Sequence, residues 1–213
     1  MKETTKRQQG KEQSTEKSEL LSGNERFSLN GSDLGLSVKD YWQFQFSNLI
    51  DNLGYVAEFL VAKALEKGEP DNCNGWSLFD AQYKGKRIEV KASSYWQSWK
   101  KSHAISEQRI YSIRKTHVEY QNSKTELARQ NDIYIFCIDM GRTEESANPL
   151  NLENWQFYVI PTKVIDKNCK DQKTISLNRI RQLWGNDIGL TYIQIKDAVD
   201  KIITELEVKC PIY

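Results

Sequence analysis

The chain has 213 residues, enough for one domain with a core of its own. Its 30 basic and 29 acidic residues leave a net charge of +1, which excludes a general electrostatic attraction to nucleic acid and restricts any such contact to local clusters. No apolar run approaches the length of a membrane-spanning helix, and the charged N-terminus lacks the apolar segment of a secretory signal, so we expect a cytoplasmic protein with no membrane partner.

Four cysteines are widely separated along the sequence, and none belongs to a Cys-x-x-Cys or Cys/His pattern. They are Cys73, Cys137, Cys169 and Cys210. This distribution argues against a zinc site and fits reduced thiols in a cytoplasm.

Residues 1–38 are rich in Lys, Glu, Gln, Ser and Thr and have few apolar positions. Such a segment buries too little apolar surface to offset the entropy that it loses on ordering. We therefore expect a flexible polar tail over 1–38, followed by one folded domain over 39–213. In the alternative, a partner or a dimer contact orders this tail.

Hydrophobic patterns predict the first elements of the folded domain. They are helices over 41–49 and 53–67 and strands over 76–83 and 86–93. Gly68 and Pro70 are typical of the end of the second helix. Lys84 and Gly85 fit a tight hairpin turn between the two strands, in which Gly supplies a positive φ.

The second half of the sequence predicts further helices and strands. They are a helix over 106–130, strands over 133–138 and 155–160, and helices over 176–183 and 196–207. The strand over 133–138 is apolar at every position, which is typical of a central strand covered on both faces. Ser176 is placed to cap the helix that follows it. The order of elements indicates a single mixed α/β domain.

Two acidic residues and one lysine lie close together in the predicted hairpin. Side chains repeat every two residues in a strand, so Glu89 and Lys91 share one face, about 6.6 Å apart. A tight turn sets Tyr83 opposite Lys86, and Asp80 then lies opposite Glu89. Two like charges in that position destabilise a sheet, and a bound Mg²⁺ removes the repulsion. The alternatives are a turn aspartate and a surface ion pair of Glu89 with Lys91.

Glu58 lies on the apolar side of the predicted helix over 53–67. A carboxylate in that place costs free energy unless it meets a cation, a metal or a hydrogen-bond donor. Glu58 is therefore a further candidate for the site, with a structural salt bridge or partial exposure as the alternative.

Basic and aromatic residues are interleaved around these positions. The segment 84–115 has nine basic residues and two acidic ones, a composition that suits a phosphate backbone. A solvated face over core aromatics is the alternative. Lys91 is placed to orient an attacking water and to stabilise a developing phosphorane. The candidate nucleic-acid contacts are Lys84, Arg87, Ser93, Lys100, Lys101 and Arg109.

Glu58, Asp80 and the run Glu89-Val90-Lys91 together resemble the PD-(D/E)XK nuclease superfamily, also called restriction-endonuclease-like. The resemblance covers about residues 41–165, and Phe79 stands where the motif that names the superfamily has proline. It implies a core of helix, three strands, helix and strand. The expected fold is thus an α/β, restriction-endonuclease-like mixed β-sheet flanked by α-helices.

The resemblance also implies a role for each residue. Asp80 and Glu89 would bind Mg²⁺, with Mn²⁺ as an alternative, helped by the backbone carbonyl of Val90. Glu58 would bind the metal through water or act as an accessory acid, and Lys91 would position or activate the water. The expected function is a Mg²⁺-dependent endonuclease of restriction type that hydrolyses DNA, and a homodimer is the form expected from the family.

Two other functions stay open at this point. A non-catalytic nucleic-acid-binding module can retain the same fold, because fold does not fix function. A nuclease that acts on RNA or on branched DNA would use the same residues. Divalent-metal binding separates the binding module from an enzyme, whereas the sequence does not separate DNA from the other substrates.

Overall fold

A computed structural model describes residues 21–65, 79–97, 107–118 and 126–208. The chain divides into two compact units, Met1–Trp42 and Gln43–Tyr213. Residues 1–20 of the predicted tail and residues 76–78 of the strand predicted over 76–83 lie outside the described residues.

A β-hairpin forms the described part of the first unit. Strand β1 (Arg26–Leu29) pairs antiparallel with β2 (Ser32–Ser37), and helix α1 (Val38–Phe46) begins directly after β2. Asn30 and Gly31 turn the chain with φ values of 51° and 80°, the backbone that an Asn-Gly hairpin turn requires. The structure thus differs from the prediction of an unstructured tail over 26–37, and α1 begins three residues before the helix predicted over 41–49.

The second unit is a mixed α/β arrangement. In chain order its elements are α2 (Leu53–Ala64), β3 (Ala81–Tyr83), β4 (Lys86–Ser94), β5 (Ile110–Ser112), β6 (Thr116–Val118), β7 (Glu126–Ala128), β8 (Ile133–Asp139), β9 (Trp155–Pro161), α3 (Thr162–Cys169), β10 (Thr174–Ser176), α4 (Leu177–Trp184) and α5 (Ile195–Val208). The predicted helices at α2, α4 and α5 and the predicted strands at β8 and β9 are confirmed.

A four-stranded mixed sheet has the order β3-β4-β8-β9. Strands β4 and β8 run parallel, and the other two pairs are antiparallel. Every residue of β8 is buried, because neighbouring strands pair with both of its edges and side chains cover both of its faces. The apolar sequence of this strand is the reason that it lies at the centre.

Two hydrophobic cores cover the two faces of the sheet. On the first face, Ile88 and Val90 of β4 belong to a cluster with α2 and α5. On the second face, Tyr134 and Phe136 of β8 belong to a cluster with α3 and α4. Alternation along β4 therefore directs Glu89, Lys91 and Ser93 to the second face, where they pair with Tyr134, Phe136 and Ile138.

The helix predicted over 106–130 is wrong for the part that the structure describes. Short strands replace it: β5 pairs antiparallel with β10, and β6 pairs antiparallel with β7. Tyr111 is buried between two exposed residues in β5. Burial therefore alternates every two residues there, as in a strand, and not with the period of a helix. Strands β5, β6 and β7 lie in sequence between the parallel strands β4 and β8.

No helix in the described ranges is long and apolar enough to span a membrane. Cys137 and Cys169 are buried free thiols within the second unit.

Candidate active site

The β3–β4 hairpin brings the two halves of the predicted motif together. Tyr83 pairs with Lys86 and Ala81 with Ile88, as the tight turn predicts. Lys84 and Gly85 form this turn with φ values of 47° and 74°. Asp80 precedes β3, and its backbone N–H donates to the carbonyl of Ile88 at 3.0 Å, which sets its side chain next to the Glu89 segment.

The Asp80 carboxylate lies against the backbone of β4. Its Oδ2 accepts a hydrogen bond from the N–H of Val90 at 2.7 Å. The N–H and C=O of one residue point to the same side of an extended strand, so the carbonyl of Val90 faces the same edge as the Asp80 carboxylate. This edge of β4 thus presents a carboxylate and a backbone carbonyl together.

Glu58 projects from α2, which packs against β4. Its side chain is half-buried, and burial raises its pKa from 4.5 to about 7, with a further contribution from the negative charge of Asp80. Lys91 acts in the opposite direction, and Glu89 adds to the rise. The four predicted catalytic residues are therefore close enough to influence one another electrostatically.

Glu89 and Lys91 form an ion pair through Oε1 and Nζ, with exposed side-chain fractions of 22% and 29%. Burial raises the pKa of Glu89, and Lys91 offsets part of that rise. The site therefore holds three carboxylates against one ammonium group. Glu58 and Glu89 are half-buried and Asp80 is exposed. An excess of negative charge is the electrostatic condition in which a divalent cation is favoured.

The donor chemistry of this site fits a hard divalent cation. Carboxylate and carbonyl oxygens are the ligands that Mg²⁺ takes, together with water. Across the ranges described by the structure, no three His, Cys, Asp or Glu side chains converge to hold one ion in this conformation. Asp80 bonds to the Val90 N–H, and Glu89 bonds to Lys91.

The predicted nucleic-acid contacts occupy different environments. Lys84 donates to Asp200 on α5 at 2.7 Å, and Arg87 lies 3.4 Å from Asp132. Both side chains are about half exposed, so their acidic partners compensate their charge without burying it. Ser93 is half-buried on the same face of β4 as Lys91.

Arg109 is a buried residue, with an exposed fraction of 4%. Its Nη2 donates to the carbonyl of Tyr95 at 3.2 Å, and its guanidinium lies 5.1 Å from the centre of the Tyr95 ring. The side chain therefore supports the end of β4 and is not a surface cation. Lys100 and Lys101 lie outside the described residues.

The sequence analysis missed a second arginine at this place. Arg142 lies 4.2 Å from the centre of the Tyr95 ring and forms two hydrogen bonds to Glu107, at 2.5 and 3.0 Å. Arg142 is distant from Tyr95 in sequence, and only the parallel pairing of β4 with β8 brings the two together. The sequence holds no local signal for this contact.

Comparison of the chain with protein-family models, with curated proteins and with solved structures finds no match in any of the three.

Proposed function

We propose that this protein is a Mg²⁺-dependent endonuclease that hydrolyses DNA phosphodiester bonds, with a restriction-endonuclease-like arrangement of α2, the β3–β4 hairpin and β8. The observation that supports it best is the meeting of Asp80 with Glu89 and Lys91 beside Glu58, whose pKa rises to about 7 through burial and the charge of Asp80. Functional sites concentrate such perturbed groups.

Asp80, Glu89 and the carbonyl of Val90 would hold the metal. When bound there, Mg²⁺ or Mn²⁺ supplies a Lewis acid for the phosphoryl oxygens and lowers the pKa of a bound water. The Asp80 carboxylate lies at the edge of β4 that faces away from β8, so the substrate phosphate would reach it from the open side of the hairpin.

Lys91 and Glu58 would handle charge and protons. The Lys91 ammonium, held by Glu89, is placed to orient the attacking water and to stabilise the negative charge that develops on the phosphoryl group. A carboxyl group with a pKa of about 7 exchanges its proton near neutral pH, which is the property required of an accessory acid. Lys84, Arg87 and Ser93 would contact the phosphate backbone around this centre.

The experiment that tests the proposal is cleavage of mixed genomic and plasmid DNA with Mg²⁺, Mn²⁺ or EDTA. Wild type is compared with Lys91→Ala, with Asp80→Asn, and with Lys201→Ala as an exposed lysine control on α5. We expect metal-dependent cleavage that the first two variants lose and the control retains. Cleavage retained by both site variants would refute this site.

A non-catalytic nucleic-acid-binding module is the second candidate. The observation that favours it is that Asp80 and Glu89 bond to groups of the protein itself, the Val90 N–H and Lys91. Calorimetric titration with Mg²⁺ separates the two functions. The proposed enzyme should bind Mg²⁺ and lose this binding in Asp80→Asn, whereas a binding module does not need a Mg²⁺ site here. RNA and branched DNA belong in the same cleavage assay as alternative substrates, and sedimentation tests the expected homodimer.

A further inference from the structure

An exposed row of aromatic side chains runs along α2 and the end of α1 within the second unit. The rings of Phe46 and Tyr55 meet edge to face with centres 5.8 Å apart. Tyr55 and Phe59 lie four residues apart on α2, which makes them neighbours on its surface. Lys63 ends the row, with its Nζ 5.8 Å from the centre of the Phe59 ring. We call Phe46, Tyr55, Phe59 and Lys63 the aromatic row.

The row is exposed although its rings are apolar. Phe46, Tyr55 and Phe59 have exposed fractions of 37%, 57% and 59%. Single exposed apolar residues are ordinary, but contiguous ones mark a binding surface. The buried side of α2 is formed by Ala57, Leu60 and Val61, so the fold does not use the row as core.

The row adjoins the candidate active site. Glu58 follows Tyr55 by three residues on the same helix, so the two side chains are surface neighbours. The helix α2, which carries both residues, packs against β4, the strand of Glu89 and Lys91. A nucleotide adjacent to the phosphate held at that site would therefore come within reach of the Tyr55 ring.

We propose that the aromatic row stacks unpaired nucleobases next to the scissile phosphate, and that the substrate class is nucleic acid that is single-stranded at the point of cleavage. This inference rests on the proposed function and specifies its substrate. Base faces are covered in a duplex, whereas every unpaired base offers a π-face to an aromatic side chain. The Lys63 ammonium at the end of the row supplies the cation for the adjoining phosphate.

The position of Glu58 favours a nucleic acid over a protein on this surface. A protein seated on Tyr55 and Phe59 would also cover Glu58 and close the candidate site to its substrate. A stacked base leaves the neighbouring phosphate directed toward Glu58 and the hairpin. The charge of the row also favours a nucleic acid, because the ammonium group of Lys63 attracts phosphate.

The test is fluorescence anisotropy in EDTA with labelled oligothymidine, oligouridine and a DNA duplex of equal length. The variants are Tyr55→Ala/Phe59→Ala, the ring-retaining Tyr55→Phe/Phe59→Tyr, and Ile193→Ala as a control at another exposed apolar position. We expect the ring-free variant to lose about tenfold or more in affinity for single strands. Duplex affinity, the ring-retaining variant and the control should match wild type, and the two single strands distinguish DNA from RNA.

Three outcomes would overturn the inference. They are unchanged single-strand affinity in the ring-free variant, an equal loss for duplex and single strand, and a dimer in sedimentation that the ring-free variant dissociates. Because EDTA prevents metal-dependent cleavage, the binding result is independent of catalysis. Cleavage retained by both Lys91→Ala and Asp80→Asn would refute the proposed active site alone. Single-strand binding that does not depend on the rings, together with metal-dependent cleavage, would refute the stacking surface alone.

Discussion

The carboxylate of Asp80 accepts a hydrogen bond from the backbone N–H of Val90 at 2.7 Å. This bond holds the acidic side chain at the edge of β4 where Val90 also directs its carbonyl. Glu89 and Lys91 stand on either side of Val90 in sequence, so one backbone hydrogen bond positions Asp80 relative to the whole Glu-Val-Lys run. The hairpin itself fixes this position.

Asp80→Asn should separate the structural role of this residue from its charge. The asparagine oxygen still accepts from Val90 N–H, so we expect a loss in the free energy of unfolding of about 1 kcal/mol or less. Asp80→Ala removes the acceptor and should cost about 1–3 kcal/mol. Urea unfolding without divalent metal measures both.

Addition of Mg²⁺ supplies the control for this pair. A ligand that binds the folded state raises its apparent stability, so wild type should gain stability with Mg²⁺ concentration while Asp80→Asn gains little. An equal gain in wild type and both variants would show that the ion binds elsewhere.

Gly141 should not tolerate a side chain. A Cβ at this position would lie 2.6 Å from both the Cα of Ala147 and the carbonyl oxygen of Ser146, and both are backbone atoms that cannot rotate away. We expect Gly141→Ala to cost about 1–3 kcal/mol of unfolding free energy, measured by urea unfolding.

Gly54 is the matched control for that substitution. It lies in the first turn of α2, and a Cβ there meets nothing within 4 Å. Gly54→Ala should therefore raise the unfolding free energy by about 0.4–1 kcal/mol, because alanine restricts the unfolded chain. Destabilisation by both alanines would contradict the steric reason given for Gly141.

Arg129 links three segments of the second unit from a fully buried position. Its guanidinium donates to the carbonyls of Ile113, Lys170 and Gln172 and to the carboxylate of Asp166. Arg129→Met leaves these acceptors unpaired and should cost about 3–5 kcal/mol. Arg129→Lys should recover little, because an ammonium group lacks the planar fork of donors that reaches several acceptors.

Thermal and urea unfolding measure the Arg129 variants, with Arg114→Lys as a control at an exposed arginine nearby. We expect the control to unfold as wild type does. Recovery of wild-type stability by Arg129→Lys would show that charge, and not the geometry of the donors, accounts for the contribution of this residue.

How far the sequence predicts the fold depends on the range of the interactions. The central strand β8 and the Lys84-Gly85 turn are predicted correctly, because an apolar run and a positive φ are local properties. The Asn30-Gly31 turn carries an equally local signal, but the apolar side chains of its hairpin are exposed, so a search for buried segments overlooks it. Strand β5 pairs with β10, more than sixty residues later, and nothing local specifies that pairing.

The same distinction between local and long-range interactions applies to the candidate site. The spacing of Asp80 and Glu89 leads from the sequence to one place, because the hairpin turn fixes the register of the two strands. The burial of Arg109 beneath Tyr95 depends on the packing of distant segments, which composition does not reveal. A count of basic residues around the site therefore includes Arg109, although this arginine is buried and stabilises the fold.

Glu58 should make the stability of the protein fall as pH rises through the acidic range. Burial, and then the charge of Asp80, raises its pKa in the folded state from 4.5 to about 7. Between these values the unfolded chain has released this proton while the folded protein retains it, so the free energy of unfolding decreases with pH. The raised pKa of Glu89 acts in the same direction. Urea unfolding across this pH range measures the slope.

Two variants identify the source of that slope. Glu58→Gln has no proton to release, so its stability should exceed that of wild type by a margin that grows from about pH 4.5 and levels off above about pH 7. Asp80→Asn removes the repulsion that Glu58 meets, so its slope should be shallower than that of wild type. Saturating Mg²⁺ should also flatten the wild-type slope, because a cation at this site favours the ionised carboxylates. A wild-type slope that all three changes leave intact would place the responsible group elsewhere in the protein.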